Sequence, residues 1–286
     1  VSELILDSHS HAWERWPYDL AVPDPATRGS AEHLIYEMDR HGVTEAVIVA
    51  ARIDHNPKNN EYVAEAVRRH PGRLHQFADV DSVWSVEHHT PGAAKRLGDI
   101  ADRLAPKGFT HYLDRRNDGW LLSRDGQDFF RVAAERKLIA SLAAGPEWQE
   151  DIRRVAATYP ELTIMIHHLG LVPAQGPESR AAMDQLLPSA ELPNIVVKFS
   201  GFHYLLDDGW EYPHRKARWI AEALYQAFGP TQLCWASDFP ALTRYMTYRQ
   251  SLEIVRTHCD FISDSDRPWI LGRTLAGLLH DEGEPT

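Results

Sequence analysis

Three histidines and one aspartate set out the chemistry this sequence can offer. DSHSH places His9 and His11 two residues apart at the end of an apolar run, and side chains at i and i+2 of a strand share a face. Asp7 falls on that same face by the same alternation. Two imidazoles so placed can grip one metal ion, and nitrogen donors suit zinc and related divalent cations. The plainer reading is a histidine pair facing solvent. IMIHHLG ends a second apolar run with His167 and His168, and alternation turns one of them inward and the other toward the outer layer. CWASDFP ends a third run with Asp238, a carboxylate able to bind a metal or act as a general base, or an aspartate of a proline-containing turn. What favours chemistry is coincidence: three run ends each present a ligand type.

These residues need elements to hold them, and short apolar runs alternate with amphipathic stretches along the whole chain. Strands are expected at Leu4–His9, Glu45–Ala50, Leu74–Val80, Gly108–Leu113, Leu138–Ala143, Leu162–His168, Asn194–Ser200 and Leu233–Ser237. Helices are expected at Ala31–His41, Asn60–His70, Ala93–Leu104, Gln127–Lys137, Glu147–Tyr159, Ser179–Leu187, His214–Phe228 and Thr247–Phe261, several stopped by Gly or Pro. Runs such as EAVIVA and NIVV are continuous rather than alternating, as strands buried on both faces require. Eight such units point to a (β/α)8 TIM barrel, somewhat distorted, with an extra C-terminal helix over Asp264–Leu279 and a charged, frayed tail. No Pro/Gly/Ser-rich linker divides the sequence, so residues 1–286 are read as a single domain. In such a barrel the active site forms at the C-terminal ends of the strands, where the four residues fall.

Composition narrows the function classes. The 41 acids outnumber the 30 Lys plus Arg, for a formal charge of −11, which with no basic stripe argues against nucleic-acid binding. Cys234 and Cys259 cannot make a disulfide framework and are expected to be reduced. No window approaches the roughly 20 apolar residues of a membrane span, and the first residues do not read as a signal peptide. A cytoplasmic enzyme acting on a small molecule is expected; oligomeric state is not readable.

Together DSHSH, IMIHHLG, NIVVKFSG and CWASDFP resemble the amidohydrolase superfamily, and most closely its amidohydrolase-2 branch of lactonase-like proteins, which includes L-fuconolactonase and 2-pyrone-4,6-dicarboxylate lactonase. The likeness runs from residue 4 to ILGRTLAGLL near the end. It implies a metal site of His9, His11, His168 and Asp238, with Asp238 and His168 also catalytic. The cofactor implied is one divalent cation, zinc by ligand type, although some relatives work without a tightly bound metal. Where relatives often carry Asp this chain has His167, which is therefore not an expected ligand. Two-metal relatives carry a bridging Lys or Glu on strand four and a further His on strand five. KGFTHY and LIASLAA offer neither, so a dinuclear site is not implied. Lactonase relatives often place an Arg on strand four where this chain has Thr110 and His111.

The resemblance implies hydrolysis of a lactone or a related cyclic or activated ester. Asp238 would activate water, and the carbonyl would be polarised by the cation or by the histidines. Trp13, His111, Arg115, His203 and Tyr204 are the expected substrate contacts, since aromatic faces and guanidinium groups suit a ring bearing hydroxyls or a carboxylate. His88 and His89, adjacent and so expected to point apart, read as a loop feature or at best a substrate contact. Lys198 reads as barrel interior or the partner of a buried carboxylate, the ion pair being favoured. A decarboxylase or hydratase of the same superfamily is the runner-up, a cyclic amidase the next, and an inactive barrel used for binding the last. Assays for CO2, lactam opening and ring opening separate them.

Overall fold

The computed structural model describes residues 3–280; the tail expected to fray (281–286) lies outside the described residues. Eight strands form one parallel sheet in sequence order: β1 (Leu6–Ser10), β2 (Glu45–Val49), β3 (Leu74–Asp79), β4 (Gly108–Tyr112), β5 (Ile139–Ala143), β6 (Ile164–Ile166), β7 (Ile195–Phe199) and β8 (Leu233–Trp235). Between them run α1 (Ala31–His41), α2 (Asn59–Arg69), α3 (Ala93–Leu104), α4 (Arg124–Glu135), α5 (Gln149–Thr158), α6 (Ser179–Leu186) and α7 (Arg218–Phe228), with α8 (Tyr248–Glu253) after β8. This is the (β/α)8 barrel expected from the sequence. Several helix ends are set by local chemistry: Ser30 and Ser123 cap α1 and α4, and Thr247 with Gln250 forms a capping box on α8. Among the described residues no helix is long and apolar enough to cross a membrane.

The C-terminal helix is shorter than expected. Helical structure starts at Arg267, runs through a widened turn at Trp269–Arg273 and continues as α9 (Thr274–Leu279), because Asp264–Asp266 is used as a turn. From α9, Leu275, Ala276 and Leu279 pack with the barrel-interior side chains Leu6, Val47, Phe77, Met165 and Cys234. One end of the barrel is thereby plugged with apolar side chains, and the polar strand ends occupy the other.

β1 is irregular where it pairs with β2, and that irregularity positions the site beside the seam between β8 and β1. Ladder pairing is regular from β1 through β8 but slips on β1 between Asp7 and Ser10, where one extra residue is inserted against β2. Regular alternation would send Leu6 inward and both His9 and His11 outward. The bulge flips the parity, so Leu6 and His9 both face the barrel axis. Asp7 is left on the other side, correcting the expectation that it shares a face with the histidines. Its carboxylate accepts hydrogen bonds from the backbone N–H of His9 (3.2 Å) and Ser237 (2.9 Å) and from the hydroxyls of Ser237 and Tyr248 (2.9 Å). With the Ser8 hydroxyl on the Trp235 carbonyl (2.8 Å) and the Asp238 N–H on the His9 carbonyl (2.8 Å), these bonds join the two strand ends. Asp7→Ala leaves several buried donors unpaired and is expected to cost about 3 kcal/mol of unfolding free energy, read from urea denaturation. A loss below about 1 kcal/mol would show that the seam does not depend on it.

Candidate active site

His9 and His11 from the end of β1, His168 from the end of β6 and Asp238 from the end of β8 converge at the open end of the barrel. The Nε2 atoms of His9, His11 and His168 lie 3.6, 3.4 and 3.9 Å from Asp238 Oδ1, and those of His9 and His11 are 3.1 Å apart. All four side chains are buried. Two unusual backbone stretches make the convergence possible. His168, Leu169, Gly170 and Leu171 have positive φ in succession (45°, 52°, 69° and 53°), and Asp238 has φ 61°. Such conformations are costly for residues other than glycine and gather at functional sites.

The left-handed turn after β6 also corrects an expectation. Strand alternation would send one of His167 and His168 to the helix layer; instead both face inward, with ring centroids 4.5 and 4.6 Å from that of His9. The nearby polar interior was missed from sequence. Lys198, fully buried on β7, hydrogen bonds to His9 Nδ1 (2.9 Å) and donates to Ser141 Oγ (2.6 Å); the Ser141 hydroxyl lies 2.7 Å from His167 Nε2. The expected ion pair is not found: among the described residues no carboxylate lies within salt-bridge distance of Lys198. A small Ser at position 141 of LIASLAA leaves room for the lysine instead.

Electrostatics follow from burial. His9 and His167 are held well below the usual imidazole pKa by burial and then by Lys198, and burial brings His168 down to about 4, so these rings are neutral near pH 7. Burial acts to raise the Asp238 pKa, but His168, His11 and His203 outweigh it and hold the carboxyl well below its usual range. Asp238 is therefore ionised, its second oxygen accepting from the Tyr204 hydroxyl at 2.5 Å. Burial lowers Lys198 to about 7.

Neutral imidazoles around a carboxylate form a donor set suited to a divalent cation. His11 donates Nδ1–H to the Val49 carbonyl (2.6 Å), which leaves its Nε2 as a lone pair, and Ser200 Oγ lies 3.0 Å from His168 Nδ1. His167 Nδ1 is buried without a partner among the described residues. For His9 to offer Nε2 as well, its Nδ1 must carry the hydrogen and Lys198 must accept it as a neutral amine. A lysine titrating near 7 can do so. The residues present fit the cation that the resemblance implies.

The lysine supplies a pH test. A folded-state pKa below the unfolded value means that the unfolded chain binds more protons between about 7 and 10.5, so folding stability contributed by this residue rises with pH across that window. The stability difference between wild type and Lys198→Met is expected to shift in favour of wild type from pH 7 to 10. A pH-independent difference would rule out a depressed lysine.

The cluster opens into a cavity of about 780 Å³ bounded by Trp13, Tyr18, Trp84, Tyr112, Arg115, Tyr204 and Arg244. Trp13 stacks on His11 (centroids 4.9 Å, 19°) and is anchored by Nε1–H on the Ala51 carbonyl at 2.9 Å. Trp13, Arg115 and Tyr204 thus stand where substrate contacts were expected. His111 and His203 do not. His111 follows an inward-facing Thr110 on β4 and so turns outward, against Trp120 and Phe129, while Tyr112 takes the cavity wall. His203 lies behind Tyr204, its ring 4.0 Å from it and 4.7 Å from Tyr245. Arg244, after β8, went unnoticed in the sequence. Its guanidinium lies over the Tyr18 ring (4.4 Å), and neither it nor Arg115 is in an ion pair among the described residues.

A sequence model of the amidohydrolase-2 family, described as amidohydrolase, matches residues 6–275. The chain belongs to this family. No curated protein matches it. Similar solved structures include a probable 2-pyrone-4,6-dicarboxylic acid hydrolase from Acinetobacter baumannii with citric acid bound, 20% identical, TM-score 0.75, covering 96% of this chain and 98% of that one. A zinc-bound amidohydrolase from Burkholderia multivorans is 19% identical with the same TM-score and coverage. A 5-carboxyvanillate decarboxylase from Sphingomonas paucimobilis is 14% identical, TM-score 0.67, covering 97% of this chain and 99% of that one. At these identities the likeness is one of fold; membership of the amidohydrolase family supports an enzyme.

Proposed function

We propose that this amidohydrolase opens a lactone that carries a carboxylate, with Asp238 as the base for the attacking water. The observation that supports this reading most is the ionised Asp238, ringed by three imidazole Nε2 atoms within 3.9 Å, at the floor of a cavity with two unpaired guanidinium groups on its walls. When bound at this cluster, a divalent cation, zinc by donor type, supplies the positive charge that polarises the carbonyl and acidifies water. His9, His11 and His168 would hold it with Asp238. Asp238, ionised and facing the cavity, would take a proton from the attacking water and return it to the alkoxide that leaves when the ring opens. Tyr204, held to Asp238 Oδ2, keeps the carboxylate aimed. Arg115 and Arg244 come from the loops after β4 and β8, which stand opposite each other in an eight-stranded ring, and the aromatic walls between them suit a flat ring.

The test is a panel of pyrone carboxylates, carboxylated muconolactone-type compounds and uncharged sugar lactones, followed by ring opening and, in parallel, CO2 release from aromatic acids. Ring opening of the carboxylated compounds, lost on chelation and restored by Zn2+, is the expected result. CO2 release without ring opening would replace hydrolysis by decarboxylation.

A further inference from the structure

A second group of histidines lies outside the barrel wall, apart from the cavity. His88 and His89 were expected to point apart, but His89 has φ 52°, which folds its ring back onto that of His88 (centroids 3.7 Å, 22°). His111 reaches them from β4, and the three residues each offer a ring nitrogen within 4.8 Å of the others.

The hydrogen bonds determine which nitrogens are free. His88 Nδ1 is 2.8 Å from the Asp81 carbonyl, His111 Nδ1 is 2.8 Å from the Val80 carbonyl, and His89 Nδ1 is 2.7 Å from Asp118 Oδ2. Each partner can only accept, so each Nδ1 carries the hydrogen and each neutral ring leaves Nε2 as a lone pair. The Nε2 atoms of His89 and His111 then face each other at 3.2 Å. Two lone pairs at that distance repel unless a cation is shared between them.

We propose that His88, His89 and His111 form a second site for a borderline divalent transition metal, zinc or its congeners, bound through the facing Nε2 atoms of His89 and His111 and through His88 Nε2 once that ring turns out of its stack on His89, with a fourth position open to water. A tetrahedral ion with Zn–N bonds of roughly 2.0–2.1 Å holds its donors roughly 3.3 Å apart, close to the His89–His111 spacing. The Asp118–His89 bond supplies the carboxylate partner that commonly orients a metal-binding imidazole. Burial lowers the pKa of His89, and that of His111 to about 3. Trp120, stacked on His89 at 4.4 Å and 4°, holds the ring in place. The ion would pin the loop after β3 to β4, and that loop presents Trp84 to the cavity.

The probe is Co2+ added to the full chain carrying His9→Ala and His11→Ala, which removes two of the four donors of the mouth cluster, after chelator treatment. About one Co2+ per chain, with the visible absorption of a four-coordinate site and a raised Tm, is expected. Adding His89→Gln should abolish the binding, and Asp118→Asn should weaken it about ten- to hundredfold, since Asn keeps an acceptor without the charge. A folded chain that takes up no Co2+, leaving a shared proton only, overturns the proposal. So does a bound Co2+ that survives His89→Gln. Both outcomes are independent of whether the mouth opens lactones.

Discussion

Asp238→Asn is expected to lower kcat for ring opening by about a thousandfold, roughly 4 kcal/mol of transition-state stabilisation. The substitution isolates chemistry from folding for reasons visible in the structure. Asp238 has φ 61°, a conformation that Asn tolerates as readily as Asp, and its backbone N–H keeps its bond to the His9 carbonyl whatever the side chain. The amide oxygen can still accept from Tyr204. What vanishes is the negative charge facing three imidazoles, and with it the capacity to take a proton from water. Stopped assays on purified variant with its Tm measured alongside would settle the matter. A loss under tenfold in a chain of unchanged Tm would falsify the assignment of Asp238 as the base.

Arg244→Met is expected to raise KM for a carboxylate-bearing lactone about a hundredfold while leaving an uncharged lactone within about threefold, since a charge-assisted hydrogen bond in a partly desolvated cavity contributes about 3 kcal/mol. Met preserves much of the side-chain volume over Tyr18, so a packing role alone would move both substrates together. Arg115 shares its side of the cavity with Asp114 and Glu147, whereas Arg244 sits on aromatic rings. A larger effect from Arg115→Met than from Arg244→Met would reverse their ranking as the carboxylate anchor.

Histidine geometry in this protein depends on backbone sign as much as on position. A positive φ at His168 turns both members of an adjacent pair into the mouth, and a positive φ at His89 stacks the other pair. Alternation alone assigns one residue of each pair to the wrong neighbour. His111 is the converse case: plain alternation on β4 puts it behind the wall, although its type suggested the cavity.

By itself the sequence determined the eight-unit barrel, because parallel strands buried on both faces must read as unbroken apolar runs and Gly and Pro must end the helices between them. It also determined which strand ends carry His9, His11, His168 and Asp238. Only the tertiary structure decided which way several side chains point. The inserted residue in β1 reverses parity against β2, and the buried Lys198 meets His9 and Ser141 rather than a carboxylate. Arg244 reaches the cavity along a loop with no period to read. Periodicity records burial, whereas bulges, left-handed turns and loop paths are set by contacts between residues far apart in the chain.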